Sequence, residues 1–382
     1  MIDKPNRKPN RPLFSSGPCA KYPGWNVKDL DTSVLGRSHR ARKPKNLIEY
    51  SINLTADILG LPKDYRVAIV PASDTGAFEM AMWNMLGCNN IDVLAWESFG
   101  KGWVNDIISQ LKIPNVRKLE TDYGQIPDLN SVNNNSDIVF TLNGTTSGVK
   151  VPNLDWISES RKGLTLCDAT SGLFAQQVDW CKLDVTTFSW QKVLGGEAQH
   201  GMLILSPRAI ERLDSYSPTW PLPKIFRLKK SNMVDPAIFS GATINTPSLL
   251  CVSDYVNALE WAQSIGGLEA LIKISDDNLK TIKDWVGNTS WIDFLAKDIK
   301  TLSNTSVCLE FNIDNNADIS IDVAELSKII QNKLEDEGVG YDLGSYRDAP
   351  PGLRIWTGAT IERLDIEILL EWIEWAYLSS IK

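Results

Sequence analysis

Short apolar segments recur along the chain and alternate with longer stretches of helical periodicity. The segments 66–70, 92–96 and 138–141 are four or five residues long and bounded by polar residues, proline or glycine, as buried strands are. Two further strands are predicted near 307–312 and 353–356. Helices are predicted near 45–59, from the turn at 71–77 to about 86, and near 208–213 and 248–264. Further helices are predicted up to about 285 and near 321–336 and 360–379. This alternation predicts an α/β protein.

The stretch 164–205 contains three more apolar segments. They are Leu164–Cys167, Val185–Phe188 and Met202–Leu205. Asp168 directly follows the first segment, and Lys192 follows the second, just before a pair of glycines. Because ligands bind at the edge where the strands of an open α/β sheet end, we expect these two side chains to meet there. A surface lysine and a helix-capping aspartate are the alternative, since most such residues are solvated.

A carboxylate and a lysine at one sheet edge suit pyridoxal 5'-phosphate. This cofactor is held covalently by a lysine amine, and its ring nitrogen needs a carboxylate because a protonated ring is the better electron sink. Asp168 and Lys192 are 24 residues apart, which leaves room for one connection and one strand. The pair therefore indicates a covalent anchor in Lys192 and a ring-nitrogen partner in Asp168.

The composition excludes several classes of protein. With 382 residues and 43% hydrophobic content, the chain can build a large core and two domains. Its net charge is −8 and it has no evident basic face, so no nucleic-acid partner is expected. No apolar run reaches the length of a membrane span, and the polar start MIDKPNRKPNRP does not resemble a secretory signal.

The cysteines and histidines predict no metal site. Six cysteines are scattered without a C-x-x-C pair, and the chain has only two histidines. Scattered cysteines in an acidic chain without a secretory signal indicate free thiols and a cytoplasmic location.

Eight short motifs occur in the order found in one enzyme family. They are SSGP (15–18), SHR (38–40), DTGAF (74–78), NGTTSG (143–148), CDATS (167–171), WQK (190–192), NTP (245–247) and GLR (352–354). Their collinearity over nearly the whole chain resembles the phosphoserine aminotransferase family, which consists of fold-type I pyridoxal-phosphate enzymes of the class-V aminotransferases. The resemblance implies a large domain with a mainly parallel seven-stranded sheet and a smaller C-terminal α/β domain. The expected division is an N-terminal arm (1–13), the large domain (14–255) and the small domain (256–382).

The same resemblance assigns cofactor contacts. Lys192 and Asp168 are the implied catalytic residues, Phe99 stacks on the cofactor ring with Trp103 as its competitor, and Thr145 bonds near the phenolic oxygen. The full implied cofactor-binding set is Asp74, Thr75, Phe99, Thr145, Asp168, Gln191, Lys192, Asn245 and Thr246. Of these, the implied neighbours of the cofactor phosphate are Asp74, Thr75, Gln191, Asn245 and Thr246. Packed aromatic residues and ordinary turns are the alternative at these positions.

Substrate contacts are implied for two basic segments. His39 and Arg40 bind the acidic end of the substrate, and Arg354 clamps the α-carboxylate, which suits the planar guanidinium group. Asn245 and Thr246 reach the cofactor phosphate of a partner subunit, so a homodimer with shared active sites is expected. A solvated basic loop, a structural ion pair and a pre-helix loop are the respective alternatives.

The implied reaction uses glutamate and 3-phosphohydroxypyruvate and yields O-phospho-L-serine and 2-oxoglutarate in serine biosynthesis. The resemblance leaves open whether the chain also catalyses the phosphohydroxythreonine step of pyridoxine synthesis.

The sequence departs from the family at one position, because Thr75 stands where many family members carry an arginine that binds the substrate phosphate. Arg42, Lys43 or Arg347 are candidate replacements.

The rival functions are a serine– or alanine–glyoxylate aminotransferase and a non-catalytic cofactor-binding relative. A cysteine desulfurase is disfavoured because no cysteine lies in an obvious mobile loop.

Overall fold

The structure is a computed structural model that describes residues 3–312 and 322–381. Its α-helices are α1 (Arg42–Leu59), α2 (Ser73–Met85), α3 (Ser98–Asn105), α4 (Pro207–Ser215), α5 (Leu249–Ser264), α6 (Gly267–Val286), α7 (Val323–Asp336) and α8 (Arg363–Leu378). Its strands are β1 (Arg66–Pro71), β2 (Ile91–Ala95), β3 (Val116–Glu120), β4 (Asp137–Thr141), β5 (Asn143–Gly144), β6 (Val149–Lys150), β7 (Thr165–Asp168), β8 (Val185–Ser189), β9 (His200–Leu205), β10 (Lys229–Lys230), β11 (Met233–Val234), β12 (Ile292–Phe294), β13 (Ser306–Phe311) and β14 (Leu353–Trp356).

A seven-stranded sheet forms the centre of the chain, in the order β1-β9-β8-β7-β4-β2-β3. Neighbouring strands from β8 through β3 run parallel, whereas β9 is antiparallel to both β8 and β1. The predicted mainly parallel, seven-stranded α/β sheet is confirmed. The register places Asp168 opposite Thr141 of β4 and Thr187 of β8, so the carboxyl ends of three neighbouring strands share one edge.

Both faces of this sheet are covered, which explains why its central strands read as continuous apolar runs. Strands β2, β4, β7, β8 and β9 are buried along their whole length. Along β1, Ala68 and Val70 belong to the hydrophobic cluster that includes α2 and α4, whereas Val67 and Ile69 belong to the cluster on the opposite face. Because successive side chains of a strand point to opposite faces, β1 contributes to both cores.

A second, antiparallel sheet, β12-β13-β14, forms near the C-terminus. It packs with α6, α7 and α8, and α8 buries Ile368, Leu369 and Trp372 as its predicted apolar stripe requires. Leu364 was predicted in that stripe but is 48% exposed, and Asp365 and Ile366 are the buried residues of the first turn instead. The predicted helix start near 321 falls partly on residues outside the described ranges.

The N-terminal segment lies along the C-terminal region of the chain. The backbone N–H groups of Asn10 and Arg11 donate to the Asp365 carboxylate, and Trp372 donates its indole N–H to the Arg7 carbonyl at 2.7 Å. These bonds give residues 7–11 fixed partners on α8. The boundaries of the arm and of the two domains stay a prediction, and the boundary at 255/256 falls inside α5.

Candidate active site

A cavity of about 240 Å³ opens at the edge of the large sheet where β4, β7 and β8 end. Seven of the residues predicted to bind the cofactor line it. They are Asp74, Thr75, Phe99, Thr145, Asp168, Gln191 and Lys192. The cavity thus gathers residues that are more than a hundred positions apart in the sequence.

Lys192 reaches this cavity from the turn after β8. Its side chain is buried, and its Nζ donates a hydrogen bond to the carbonyl of Ser16. Burial lowers the pKa of the amine, and the nearby positive charge of Arg354 lowers it further. A lowered pKa increases the fraction of free amine at neutral pH, and the free amine is the form that attacks an aldehyde.

Asp168 ends β7 and is also buried. Its Oδ1 accepts the backbone N–H of Thr170 at 3.0 Å, and its Oδ2 accepts the indole N–H of Trp103 at 3.1 Å. Both donors favour the charged form of a carboxylate. A carboxylate offers about four acceptor sites, so these two bonds leave capacity for a further donor in the cavity.

Asp74 lies beside Asp168, although the resemblance implied a place near the cofactor phosphate. Its Oδ1 is buried, and no described residue donates a hydrogen bond to it. Burial raises the pKa of Asp74, and the neighbouring Asp168 charge raises it further. A neutral Asp74 carboxyl avoids placing two negative charges side by side in a buried site.

The start of α2 offers backbone donors to the same cavity. Ser73, Asp74 and Thr75 line the cavity from the first turn of the helix. The N-cap residue, Ala72, has no side-chain acceptor and adopts a left-handed conformation with φ 66°. The first N–H groups of a helix lack intrahelical partners and carry the positive end of its dipole, so this turn suits an anion such as a phosphate.

Phe99 and Thr145 lie on two segments that a buried carboxylate joins. Glu97 accepts the N–H of Gly100 at 2.7 Å in α3 and the hydroxyl of Thr146 at 2.8 Å. Burial raises the pKa of Glu97 to about 7. Phe99 is 38% exposed at the cavity and packs against Tyr346, whereas Thr145 is buried and donates to Ser171 at 2.7 Å.

Pyridoxal phosphate fits this set of side chains. Five buried cavity atoms find no hydrogen-bond partner in residues 3–312 and 322–381: Asp74 Oδ1, Thr141 Oγ1, Thr170 Oγ1, Ser189 Oγ and Gln191 Oε1. Orphaned buried polar atoms are costly, so they favour a polar ligand in the cavity. An amine, a carboxylate, an aromatic face and an uncapped helix start correspond to the aldehyde, ring nitrogen, ring and phosphate of the cofactor.

Arg354 lies on β14, opposite Cys308 of β13. Its guanidinium is 5.8 Å from the centre of the Tyr346 ring, and its buried Nε is unpaired within the part of the chain that the structure describes. The alternative for Arg354, a structural ion pair, is not seen among those residues. Tyr346 packs against Phe99 of the cavity at 5.6 Å, so the guanidinium lies near the cavity.

Besides Arg354, which does not line the cavity either, four predicted residues lie outside it. Arg40, Asn245 and Thr246 are exposed, and His39 is half-buried. Their segments are adjacent, because Gly241 packs closely against the backbone of Lys45 and Glu49 in α1. Asn245 and Thr246 precede α5, whose N-cap residue Ser248 donates its N–H to His200 Nε2 at 3.0 Å. Burial lowers the pKa of His200 to about 4, so the ring remains a neutral acceptor.

A curated protein resembles the chain over nearly its full length. The phosphoserine aminotransferase of Methanosarcina barkeri is 56% identical over 374 residues, which cover 98% of this chain and 99% of the relative. The chain belongs to the phosphoserine aminotransferase family. No family model matches the chain.

Solved structures of phosphoserine aminotransferases have the same fold. The Bacillus circulans subsp. alkalophilus enzyme has a TM-score of 0.79 at 19% identity and matches 98% of this chain and 100% of its own. PLP-bound phosphoserine aminotransferase from Trichomonas vaginalis has a TM-score of 0.73 at 15% identity, over 96% of this chain and 100% of its own. At such identities the likeness shows the fold alone.

Several cavity residues received no role from the family motifs. They are Gly17, Pro18, Ser73, Thr141, Asn143, Thr170, Ser171, Ser189 and Ala198. The SSGP motif was a usable signal, because a side chain at Gly17 would overlap the Lys192 amine. Trp103 was named only as a stacking competitor, and its position four residues after Phe99 on α3 gave no hint of its bond to Asp168.

Among the described residues, no group of three or more His, Cys, Asp or Glu is arranged to hold a metal ion. Within the same residues, the helices are too short or too polar to cross a membrane.

Proposed function

We propose that this chain transfers the amino group of glutamate to 3-phosphohydroxypyruvate, giving O-phospho-L-serine and 2-oxoglutarate for serine biosynthesis. The observation that carries the proposal is the meeting of Lys192 and Asp168 in one cavity of a chain that is 56% identical to a phosphoserine aminotransferase. Pyridoxal phosphate supplies the aldehyde that takes up the amino group and the ring that accepts electrons from the substrate.

Lys192 anchors the cofactor covalently and moves protons. With the cofactor bound, the Lys192 amine would hold it covalently and, when free, would carry the proton of the substrate α-carbon. Its burial and the nearby Arg354 favour the neutral amine needed for proton abstraction. The Ser16 carbonyl orients Nζ through their hydrogen bond.

Asp168 holds the proton on the cofactor ring nitrogen, as its place at the end of β7 supports. Phe99 would cover one face of the ring, and the Thr145 hydroxyl, which donates to Ser171 in this structure, would turn to donate near the phenolic oxygen. The backbone N–H groups at the start of α2 bind the phosphate, with Gln191 beside them. The Asp74 side chain is directed to Asp168 rather than to the phosphate, which avoids repulsion between anions.

Arg354 and Arg347 bind the two anionic ends of the substrate. Arg354 clamps the α-carboxylate through the guanidinium that has an unpaired Nε in the described structure. Arg347 lies 5.6 Å from the Tyr346 ring, which packs on Phe99 at 5.6 Å, so it is near the cavity mouth. Lys43 is paired with Asp31 at 3.3 Å and Arg347 with Asp348 at 3.6 Å, so Arg347 is preferred only for its place beside Tyr346.

The active sites are shared between two subunits. His39 and Arg40 on one side, and Asn245 and Thr246 on the other, lie outside the chain's own cavity on adjacent surface segments. A partner related by a two-fold axis can insert such a surface into the neighbouring cavity, and that symmetry is the commonest for soluble oligomers. Asn245 and Thr246 would then contact the cofactor phosphate in the neighbouring subunit's cavity. His39 and Arg40 would contact the distal anion of the substrate in that cavity.

Mixing two inactive variants tests the shared site. Lys192→Ala destroys the anchor, and the double variant Asn245→Ala/Thr246→Ala removes the loop donors. A mixed dimer keeps one site with an intact lysine and an intact loop, so random mixing should restore about a quarter of wild-type activity. The measurement is the glutamate-dependent rate after the variants are unfolded and refolded together.

A matched control mixes Lys192→Ala with Asp168→Asn. Both changes lie on the chain that supplies the cavity, so no complete site forms and the mixture should stay near the level of Asp168→Asn alone. Equal recovery in both mixtures, or an active monomer by light scattering, contradicts the shared site.

Two further assignments go with this function. The six cysteines are free, which supports a reducing cytoplasmic environment. The phosphohydroxythreonine step of pyridoxine synthesis presents the same α-carboxylate and phosphate, so the same contacts would serve it.

The Arg40→Ala variant tests whether Arg40 contributes to the binding of substrates that carry a second anion. Losing a partly buried charge-assisted contact should raise the barrier by about 2–4 kcal/mol, roughly thirty- to a thousandfold in kcat/KM. The loss should fall on phosphohydroxypyruvate and glutamate, which carry a second anion, and not on alanine or glyoxylate. The measurement is kcat/KM for all four substrates, with Arg37→Ala, another exposed arginine of the same loop, as the control.

Two outcomes contradict this assignment. The first is a wild-type preference for glyoxylate, and the second is an equal loss of kcat/KM for all substrates in Arg40→Ala. In either case the glyoxylate aminotransferase function replaces the assignment, and Thr75 would then belong to a pocket that binds no substrate phosphate. If Arg37→Ala and Arg40→Ala act alike, the loop contributes only its general positive field. Arg347→Ala in the same assay shows whether that arginine carries the phosphate contact.

A further inference from the structure

The environment of Asp168 contains one donor that the proposed mechanism does not use. Trp103 donates its indole N–H to Asp168 Oδ2 at 3.1 Å, on the oxygen that Thr170 does not engage. Trp103 is 7% exposed and lines the same cavity. The bond from Thr170 comes from the backbone, whereas the indole supplies a side-chain N–H to this carboxylate.

The position of the indole is fixed from two sides. Its ring packs against Phe78 of α2, with centroids 4.8 Å apart and planes tilted by 50°. Its helix, α3, is capped by the Glu97 carboxylate, which accepts the N–H of Gly100. A donor held by packing and by a capped helix loses little freedom when it makes its hydrogen bond, so the bond is preorganised.

Asp168 needs such a donor because its other buried neighbour is an acid. Asp74 lies beside it, and its Oδ1 has no partner in the described chain. A neighbouring carboxyl disfavours a second negative charge, whereas an N–H donor stabilises it. Removing the indole N–H would leave Asp168 with the Thr170 backbone N–H and the Asp74 carboxyl, and the two acids would then compete for one negative charge.

We propose that Trp103 is a positioning residue that fixes the Asp168 carboxylate, in orientation and in charge, for the protonated ring nitrogen of the cofactor. The inference rests on the proposed function. In this arrangement Phe99 covers the ring, whereas Trp103 acts through Asp168, so the two aromatic residues of α3 have different tasks. The donor also explains why a tryptophan, which carries an N–H, stands at this packed position rather than phenylalanine.

Trp103→Phe removes the N–H group and keeps an aromatic ring against Phe78. The holoenzyme is prepared with pyridoxal phosphate labelled with ¹⁵N in the ring. We expect the ¹⁵N resonance to move toward that of an unprotonated ring, and kcat to fall by about 10- to 100-fold, the effect of one hydrogen bond to a charged group. The KM for glutamate should change less than kcat, because the indole N–H is engaged by Asp168 rather than free for the substrate.

Trp180→Phe is the matched control. Trp180 is 8% exposed and donates its indole N–H to the Leu59 carbonyl at 3.0 Å, away from the cavity. The Trp180→Phe protein should lose thermal stability comparable to that lost by Trp103→Phe, but its ¹⁵N resonance should not move. A Trp103→Phe enzyme with the wild-type resonance overturns the inference, even if its stability falls. A wild-type protein that binds the cofactor without transaminating contradicts the proposed function instead, while the ¹⁵N comparison still tests Trp103.

Discussion

Lys192→Ala should abolish transamination and leave the fold intact. Only a primary amine can hold the cofactor covalently and shuttle the substrate proton, and alanine offers no substitute. The fold should tolerate the change, because the Lys192 amine makes one recorded bond, to the Ser16 carbonyl, and its burial is unfavourable for the charged form. The expected change in the free energy of unfolding is within about 1–2 kcal/mol. Activity with glutamate, absorbance near roughly 400–430 nm and thermal melting together test this result.

Lys182→Ala provides a matched control for Lys192→Ala. The two lysines flank β8, and Lys182 likewise donates to a backbone carbonyl, that of Ile157, at 2.9 Å. Lys182 precedes the strand and therefore lies at the opposite edge of the sheet from the cavity. Its loss should leave activity and the absorbance band unchanged. Full activity of Lys192→Ala would remove the central assignment, and equal inactivation by both variants would indicate a general loss of structure.

The central sheet was predictable because most of its strands are buried on both faces. Strands β1, β2, β4, β7, β8 and β9 differ from their predicted ranges by two residues or fewer at each end. The edge strand β3, with the sequence VRKLE, was not predicted. It pairs with β2 alone, and three of its five residues are exposed, so no apolar run marks it.

The helix α3 was also missed, although it carries two aromatic residues of the site. Its sequence SFGKGWVN contains two glycines, which are unfavourable inside a helix. The helix forms because Glu97 caps it and because Trp103 and Val104 are buried. Tertiary packing thus overrides local propensity, which a sequence pattern does not display.

The sequence motifs predicted the part of the site that lies at the strand ends of one chain. Asp168 and Lys192 were placed at one edge from their positions after two strands, and the structure brings them to one cavity. The close approach of Asp74 to Asp168 could not be predicted, because it depends on the direction of the Asp74 side chain in the first turn of α2. Likewise, the exposure of Arg40 and Thr246 becomes visible only when the chain's own cavity is known.

Asp168→Asn should keep the cofactor bound and slow turnover strongly. The amide oxygen can still accept the N–H of Thr170, and Lys192, Thr145 and the start of α2 still hold the cofactor. A neutral amide does not stabilise a protonated ring nitrogen, however, so the ring becomes a poorer electron sink. Breaking a buried charge pair costs about 3–5 kcal/mol, which corresponds to a roughly 150- to 5,000-fold fall in kcat.

Asp74 determines how the Asp168→Asn result is interpreted. In the wild type its buried carboxyl is kept neutral by burial and by the Asp168 charge, which raise its pKa. Removing that charge makes ionisation of Asp74 easier, so Asp74 can partly replace the lost partner of the ring nitrogen. The double variant Asp74→Asn/Asp168→Asn should therefore be slower than Asp168→Asn alone, measured as kcat with glutamate at saturating keto acid. If Asp168→Asn retains the wild-type rate and the double variant does too, neither carboxyl holds the ring proton, and the assignment of Asp168 fails.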